Sequence, residues 1–411
     1  MSKIRIKNFG PIKEGYTQND EWIDIKKVTL FIGNQGSGKS TVAKVISVLT
    51  WLEKAIYRGD VDINAISNND FYDFFDYQRI KSYFKDNTEI EYIGKKISFK
   101  YKNKTIPQIT LLNKLGYALP KIMYVPSERN FLSVVKNAYG VKNLPDTLYT
   151  FAEELKKGQL KLNGNSLPIP IGDLSFQYNK TNDTSILMGA DYEVDLIESS
   201  SGYQSFVPLY LVTKFLSDAL IEGDELLDIN QKIRKSEELE KLLLNESLSS
   251  SELKQKTEEI KSKYLNTCFV NIVEEPEQNL FPSSQWEVLK SMLKYNNMLA
   301  DNKLVLTTHS PYIISYLTLS IEANRLNEMI KNKELRDKLS EIVSLDALLK
   351  SDDLVIYQLD EKKGSVELLG NYKGLPSDEN YLNENLAHTN ELFSKLLDIE
   401  DLCLNQLSFP K

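Results

Sequence analysis

Histidine and cysteine are scarce in this chain: its 411 residues hold two of each. Neither Cys268 nor Cys403 stands in a metal-ligand spacing, which leaves no Cys/His pattern for a zinc site. Cys268 falls inside an apolar run and reads as a small core residue. No apolar run reaches the ~18 residues of a membrane helix, and the opening "MSKIRIKNFG" lacks a signal-peptide core. The expectation is a chain with no membrane span, in the reducing cytoplasm. A surplus of positive charge is missing too, since 50 basic against 58 acidic residues give a net charge of −8. That balance argues against gripping nucleic acid by bulk electrostatics. Lys95, Lys96, Lys100, Lys102 and Lys104 form a local basic group that reads as the solvated face of a strand pair. Glycine and proline never cluster into a linker, so any domain boundaries are compact, although the length allows two or three domains.

What is present is a succession of clear periodicities. Ile4, Ile6 and Phe9 alternate with Lys3, Arg5 and Lys7, as in a strand. "KVTLFIG", 27–33, is continuous and apolar, as in a buried parallel strand, and "STVAKVISVLTWLEKAIY" then places Val42, Val45, Ile46 and Leu49 on one helix face. Residues 61–120 read as an inserted region, a helix followed by a β-hairpin turning at Gly94. "KIMYVPSERN" returns to a buried strand stopped by Pro126, and short strands are expected near 172–178, 184–189 and 191–197. A helix over 202–220 precedes a charged stretch, 223–264, with leucine and isoleucine at helical intervals. "NESLSSSE" at its middle supplies a turn and a serine N-cap, so two antiparallel helices are expected, as a short coiled-coil arm or a surface hairpin. In the tail, strands are expected at 354–359 and 365–369 and a helix near 385–399.

The chemistry is carried by "FIGNQGSGKS", 31–40, whose residues from Gly33 to Ser40 match GxxxxGK[ST] in full. Gly33, Asn34, Gln35, Gly36, Ser37 and Gly38 would turn backbone N–H groups inward as an anion nest at a helix N-terminus. Lys39 would meet the β- and γ-phosphates of ATP, Ser40 would ligate Mg²⁺, and Thr41 completes the loop. "FVNIVEEPE" ends an apolar strand in Glu274 and Glu275, adjacent carboxylates that are costly at a strand edge unless they serve a metal or a proton transfer. Glu274 is assigned to the Mg²⁺ environment through water, and Glu275 to polarising the attacking water. "LVLTTHSP" delivers His309 at the end of another strand, as a hydrogen-bonding sensor of the γ-phosphate. His388, in a polar stretch, reads as surface.

A phosphate loop, then "SSGYQS", then "EEPE", then "TTHS", in that order, resembles ATPases of the ABC superfamily, and more narrowly the SMC/OLD-like branch of stand-alone ATPases. The resemblance implies an α/β fold of the ABC type, a mixed sheet flanked by helices. Its core would comprise 1–60, 121–222 and 265–340, with 61–120 inserted, 223–264 as a helical hairpin and 341–411 as a C-terminal α/β extension. It also implies a homodimer in which Ser201, Gly202 and Gln204 of one subunit close over the nucleotide of the other. Tyr203 stands where transporters have a second glycine, and Phe281 where they have an aspartate. Ser127, Glu128 and Arg129 are the nearest match to the family's glutamine loop. The 223–264 segment is far too short for an SMC arm, and the stretch after His309 shows no dense cluster of acids like that of a Toprim nuclease. The chain therefore resembles ATPase-only subunits of the PARIS, Septu and retron-associated anti-phage systems. That implies a sensor or scaffold controlling a separately encoded effector such as a nuclease or toxin. The alternative is a RecF/SMC-like ATPase acting directly on DNA through a basic groove formed on dimerisation.

Overall fold

The computed structural model describes residues 2–407 apart from 114–115, 136–139, 224–225, 228 and 245–247. The chain opens with β1 (Ser2–Phe9), β2 (Gly15–Tyr16), β3 (Ile23–Ile25) and the wholly buried β4 (Val28–Gly33). Helix α1 (Lys39–Arg58) buries the expected face of Val42, Val45, Ile46 and Leu49. Helix α2 (Asn68–Asp76) starts from a Ser67–Asp70 capping box and precedes β5 (Phe84–Ile93), β6 (Ile97–Lys102) and β7 (Gln108–Leu111). Next come β8 (Pro120–Val125), α3 (Phe131–Val134) and α4 (Asp146–Leu162). Four short strands follow, β9 (Leu167–Pro168), β10 (Ser175–Asn179), β11 (Thr184–Met188) and β12 (Glu193–Asp195). Helix α5 (Ser201–Glu222) leads to the hairpin of α6 (Ile229–Leu243) and α7 (Ser250–Tyr264), the second capped by Ser249 with Glu252. Strand β13 (Cys268–Glu274), α8 (Pro282–Asn297), β14 (Lys303–Thr308), α9 (Pro311–Met329) and α10 (Lys333–Ile342) complete the middle of the chain. The tail is β15 (Leu354–Asp360), β16 (Ser365–Leu368) and α11 (Tyr381–Leu407).

A seven-stranded mixed sheet, in the order β2-β16-β15-β4-β14-β13-β8, is the centre of this α/β fold. Strands β15, β4, β14, β13 and β8 run parallel, and β16 returns antiparallel beside β15. Alternate residues of each strand feed opposite faces. Leu30, Ile32, Val273, Leu306 and Ile356 pack with α4, α5, α8 and α9, whereas Phe31, Ile272, Val305 and Tyr357 pack with α1. The parallel arrangement brings Gly33, Thr308, Glu274 and Val125 to one edge, where the loops that follow them meet. That carboxyl edge is where parallel α/β sheets take their ligands.

Two segments are woven in more closely than the sequence suggests. Strands β5, β6 and β7 extend the opening strand into an antiparallel sheet of order β3-β1-β5-β6-β7, so residues 84–111 share one sheet with β1. Lys100 and Lys102 pair there with Glu91 and Glu89, so the lysine-rich face is matched by acids. The tail hairpin β15–β16 is as expected, but its first strand lies directly beside β4, with Leu359 opposite Gly33. The continuous apolar run of β15 has a physical reason, because a parallel strand covered on both faces needs one. The α6–α7 hairpin is held to the body by an Arg234–Asp60 ion pair, and its two helices are joined by the Tyr264 hydroxyl donating to Glu238. Cys268 is buried and His388 exposed. Among the described residues no helix is long and apolar enough to cross a membrane.

Candidate active site

The glycine-rich loop that begins at Gly33 links the buried β4 to α1, so its ends are fixed by the sheet and by a 20-residue helix. Gly33 has φ +145°, and a Cβ there would sit 2.5 Å from the Leu359 carbonyl. Gly38, at φ +103°, would drive a Cβ to 2.5 Å from Ile12 Cδ1, so both positions require glycine. No side chain caps α1, which leaves the N–H groups of its first turn directed at the loop. The Ser37 hydroxyl is fully buried and has no hydrogen-bond partner among the described residues. An uncapped helix start, a glycine cradle and an orphaned hydroxyl are the groups that a polyphosphate would satisfy. Asn34, Gln35, Gly36 and Ser40 face solvent, whereas Thr41 is buried.

Lys39 Nζ donates to the Gly33 and Asn34 carbonyls, each at 2.9 Å. Burial pushes its pKa down to about 8, partly offset by Glu275, Glu277 and Glu274, in that order. Those acids lie at the end of β13, opposite the end of β14. Glu274 is buried and accepts from the Tyr124 hydroxyl at 2.5 Å and from the Ser127 N–H at 3.3 Å. Glu275 takes a left-handed φ of +44°, rare for a residue with a Cβ. Its N–H donates to the Thr307 carbonyl at 2.9 Å, and its half-exposed carboxylate lies 3.6 Å from His309 Nε2. Burial and the nearby Lys39 lower the His309 pKa, against the pull of Glu275, so the imidazole is neutral near pH 7. The edge thus gathers Lys39, Glu275 and His309 near one another, with Glu274 more buried.

Two groups at this edge had escaped the sequence reading of the site. Glu277, the last acid of "EEPE", accepts the His309 N–H at 2.8 Å and so fixes the turn that presents the imidazole. Burial raises its pKa, opposed by bonds from Thr308 and His309. The tail supplies the second: Asn34 donates to Glu361 at 3.0 Å and receives a 3.3 Å bond from Asn385 at the start of α11. Proximity in sequence could not have indicated either tail residue; the only signal was the apolar run of β15.

The "SSGYQS" stretch does begin a helix, α5, and Ser200 provides no side-chain cap. Ser201 is exposed, while Gly202 is buried so tightly that a Cβ would sit 2.9 Å from the Asn279 carbonyl. Gln204 donates to the Ile197 and Ser199 carbonyls, so its side-chain amide shapes the preceding loop. The Tyr203 hydroxyl packs against Gly172, which has no side chain to obstruct it. Gly202 and Gln204 thus pack on 279–280 and on 197–199, and Tyr203 on Gly172, whereas Lys39 packs on its own loop near the acids that end β13.

Arg129 joins the two regions. It is fully buried, and every bond it makes here goes to a backbone carbonyl: Ser205 at 3.2 Å, Pro126 at 3.3 Å, Glu274 at 2.7 Å and Glu275 at 2.6 Å. Ser133 to the Gln204 carbonyl (2.7 Å) and Ser205 to Gln278 (3.1 Å) reinforce the same junction. Burial lowers the Arg129 pKa to about 10, still charged at neutral pH. The planar fork, which lysine lacks, fits carbonyls from three segments. Arg129→Lys is therefore expected to cost about 2–4 kcal/mol in urea unfolding and to lower kcat for ATP more than it raises KM. Equal stability would show that the junction does not depend on the guanidinium.

No protein-family model matches the chain. No curated protein matches it either. Among solved structures it is similar to an SMC head domain from Thermotoga maritima, at 11% identity, covering 90% of this chain and 98% of that one, with a TM-score of 0.37. An Smc head domain with an extended coiled coil, bound to the C-terminal domain of ScpA and derived from Pyrococcus furiosus, matches at 8% identity over 95% and 100%, with a TM-score of 0.40. A dimeric ATP-binding cassette in a post-hydrolysis state, bound to ADP and Pi, matches at 13% identity over 90% and 100%, with a TM-score of 0.28.

Proposed function

We propose that this chain is an ATP-hydrolysing P-loop ATPase of the ABC superfamily, of the SMC/OLD-like kind, that works as a homodimer. The observation that carries the reading is the convergence of Lys39, the Glu275 carboxylate and neutral His309 at the carboxyl edge of adjacent parallel strands. The loop 33–41 holds the phosphates, with Lys39 exchanging its two carbonyl partners for phosphate oxygens. Mg²⁺, when bound, offsets phosphate charge, and exposed Ser40 is the residue placed to ligate it. Both Glu274 oxygens already accept hydrogen bonds, which suits contact with the metal through water. Glu275 takes the proton of the attacking water, and His309 hydrogen-bonds the γ-phosphate.

The start of α5 serves the partner's nucleotide in this reading. Its uncapped first turn and exposed Ser201 are free to meet a phosphate, while Gly202 allows the close packing behind them. The order of the motifs and the short 223–264 hairpin support a sensor or scaffold whose nucleotide state controls a separate effector, such as a nuclease, in anti-phage defence.

A mixed dimer tests the composite site. Lys39→Met and Ser201→Arg should each be inactive alone, but one site of their heterodimer is free of both lesions. Random mixing should restore about a quarter of native ATPase activity, as half the dimers carry one intact site of two. No recovery would exclude the shared site. Strong stimulation by duplex DNA at physiological salt would replace effector control with direct action on DNA.

A further inference from the structure

At the other end of α1 lies a cavity of about 470 Å³, within the range of small-molecule sites. It is bounded by α1, α2, α4 and β8, with Leu226 and the α6 residue Gln231 on a further side, and β8 ends the sheet, paired among the described residues with β13 alone. Ser47, Trp51, Lys54 and Arg58 line it from one face of α1, as their three- and four-residue spacing requires.

The polar groups in this wall are under-satisfied. Lys54 is buried, and among the described residues its three-donor ammonium has one hydrogen-bond partner, the Asn266 side-chain oxygen at 2.8 Å. Arg58 is 4% exposed; its Nε donates to Asp60 at 2.5 Å, yet its Nη1 has no partner among the described residues. Glu154 is 3% exposed, with Oε1 taking Lys121 and Lys157 at 2.9 and 3.0 Å while Oε2 has no partner among the described residues. Buried groups with unmet bonds are uncommon and call for a cause. Burial, then Arg58 and Lys121, hold the Lys54 amine well below the usual lysine range, so a nearby anion would relieve it. Beside these groups the wall is aromatic: Trp51 of the same α1 face meets Phe74 of α2, with ring centroids 5.4 Å apart, and Tyr77 lies next to them.

We propose that this cavity is a second ligand site, for a nucleoside 5′-monophosphate. Two cationic donors one helical turn apart suit a phosphate, and the spare Glu154 oxygen suits a base N–H. Trp51 and Phe74 offer a flat ring a stacking surface. The site adjoins both arms of the ATP site: α1 begins at Lys39, and Tyr124, in the cavity wall, donates to Glu274. Influence on hydrolysis rests on the ATPase reading above; binding itself does not.

The test is to titrate AMP, GMP, CMP and UMP separately into the full chain, saturated with Mg²⁺ and a non-hydrolysable ATP analogue. Tryptophan emission and Tm are read together. At least one monophosphate should bind with a Kd below about 1 mM, shift both signals, and do so equally in Lys39→Met without the analogue. Lys54→Met and Glu154→Gln should each weaken that binding by about tenfold or more, and Trp51→Phe should remove the emission change but keep the Tm shift. Silence from all four ligands, undiminished binding in both Lys54→Met and Glu154→Gln, or loss in Lys39→Met would each overturn the proposal. Loss in Lys39→Met would place the ligand on the phosphate loop, and silence would leave the cavity to solvent.

Discussion

Glu275→Gln is expected to bind ATP about as tightly as the native chain while turning it over about 10²–10⁴ times more slowly. The amide keeps the shape and the reach of the carboxylate but cannot accept the proton of the attacking water. The backbone should not move, because the left-handed turn is held by main-chain bonds, from Glu275 N–H to Thr307 and from Arg129 to the Glu275 carbonyl. The His309 pKa should fall further, since Glu275 raises it and the amide does not. With hydrolysis blocked, the nucleotide-closed dimer should accumulate, and light scattering with ATP and Mg²⁺ should show the mass double. Full ATPase activity in this variant would remove Glu275 from its role. Slow turnover without a change in mass would preserve that role and exclude dimer trapping.

The divide between what the sequence revealed and what it concealed follows the range of the interactions. The strand–turn–helix of 28–58 was legible because its pattern is local: an apolar run, clustered glycines, then apolar residues at helical spacing. Glu275 and His309 were legible as strand-end residues, since strand termini of a parallel sheet share an edge whatever the connections are. Arg129 was noticed only as part of "SER", near the expected glutamine loop. Its bonds to Ser205, Glu274 and Glu275 span up to 146 positions, and nothing local says that a guanidinium will be spent on carbonyls. The tail was underestimated for the same reason. An apolar strand announces burial but not its neighbour, and only the sheet order places β15 beside β4.

Lys39→Met should abolish ATP binding and yet make the nucleotide-free protein more stable. The ammonium is buried against its own loop and takes two carbonyls as partners. Four acids attract it, Glu275, Glu277, Glu274 and Glu361, yet desolvation wins, and the pKa falls from an ordinary 10.5 to about 8. Carrying that charge at pH 7 therefore costs the fold about 3 kcal/mol. The sign follows from proton counting. Below pH 8 both folded and unfolded chains keep the proton, and the cost is present in full. Between 8 and 10.5 the unfolded chain holds more protons, so stability rises with pH across that window. Methionine removes both the charge and this rise, so urea unfolding at pH 7 should show a gain of about 1–3 kcal/mol that narrows at higher pH. The same proton links stability to ligand binding: ATP must restore the ammonium, so native affinity should decline as pH passes about 8. A variant that lost binding and stability together would show Lys39 to be a structural support of the loop. Gain of one with loss of the other identifies a charge held at a cost because the phosphates require it.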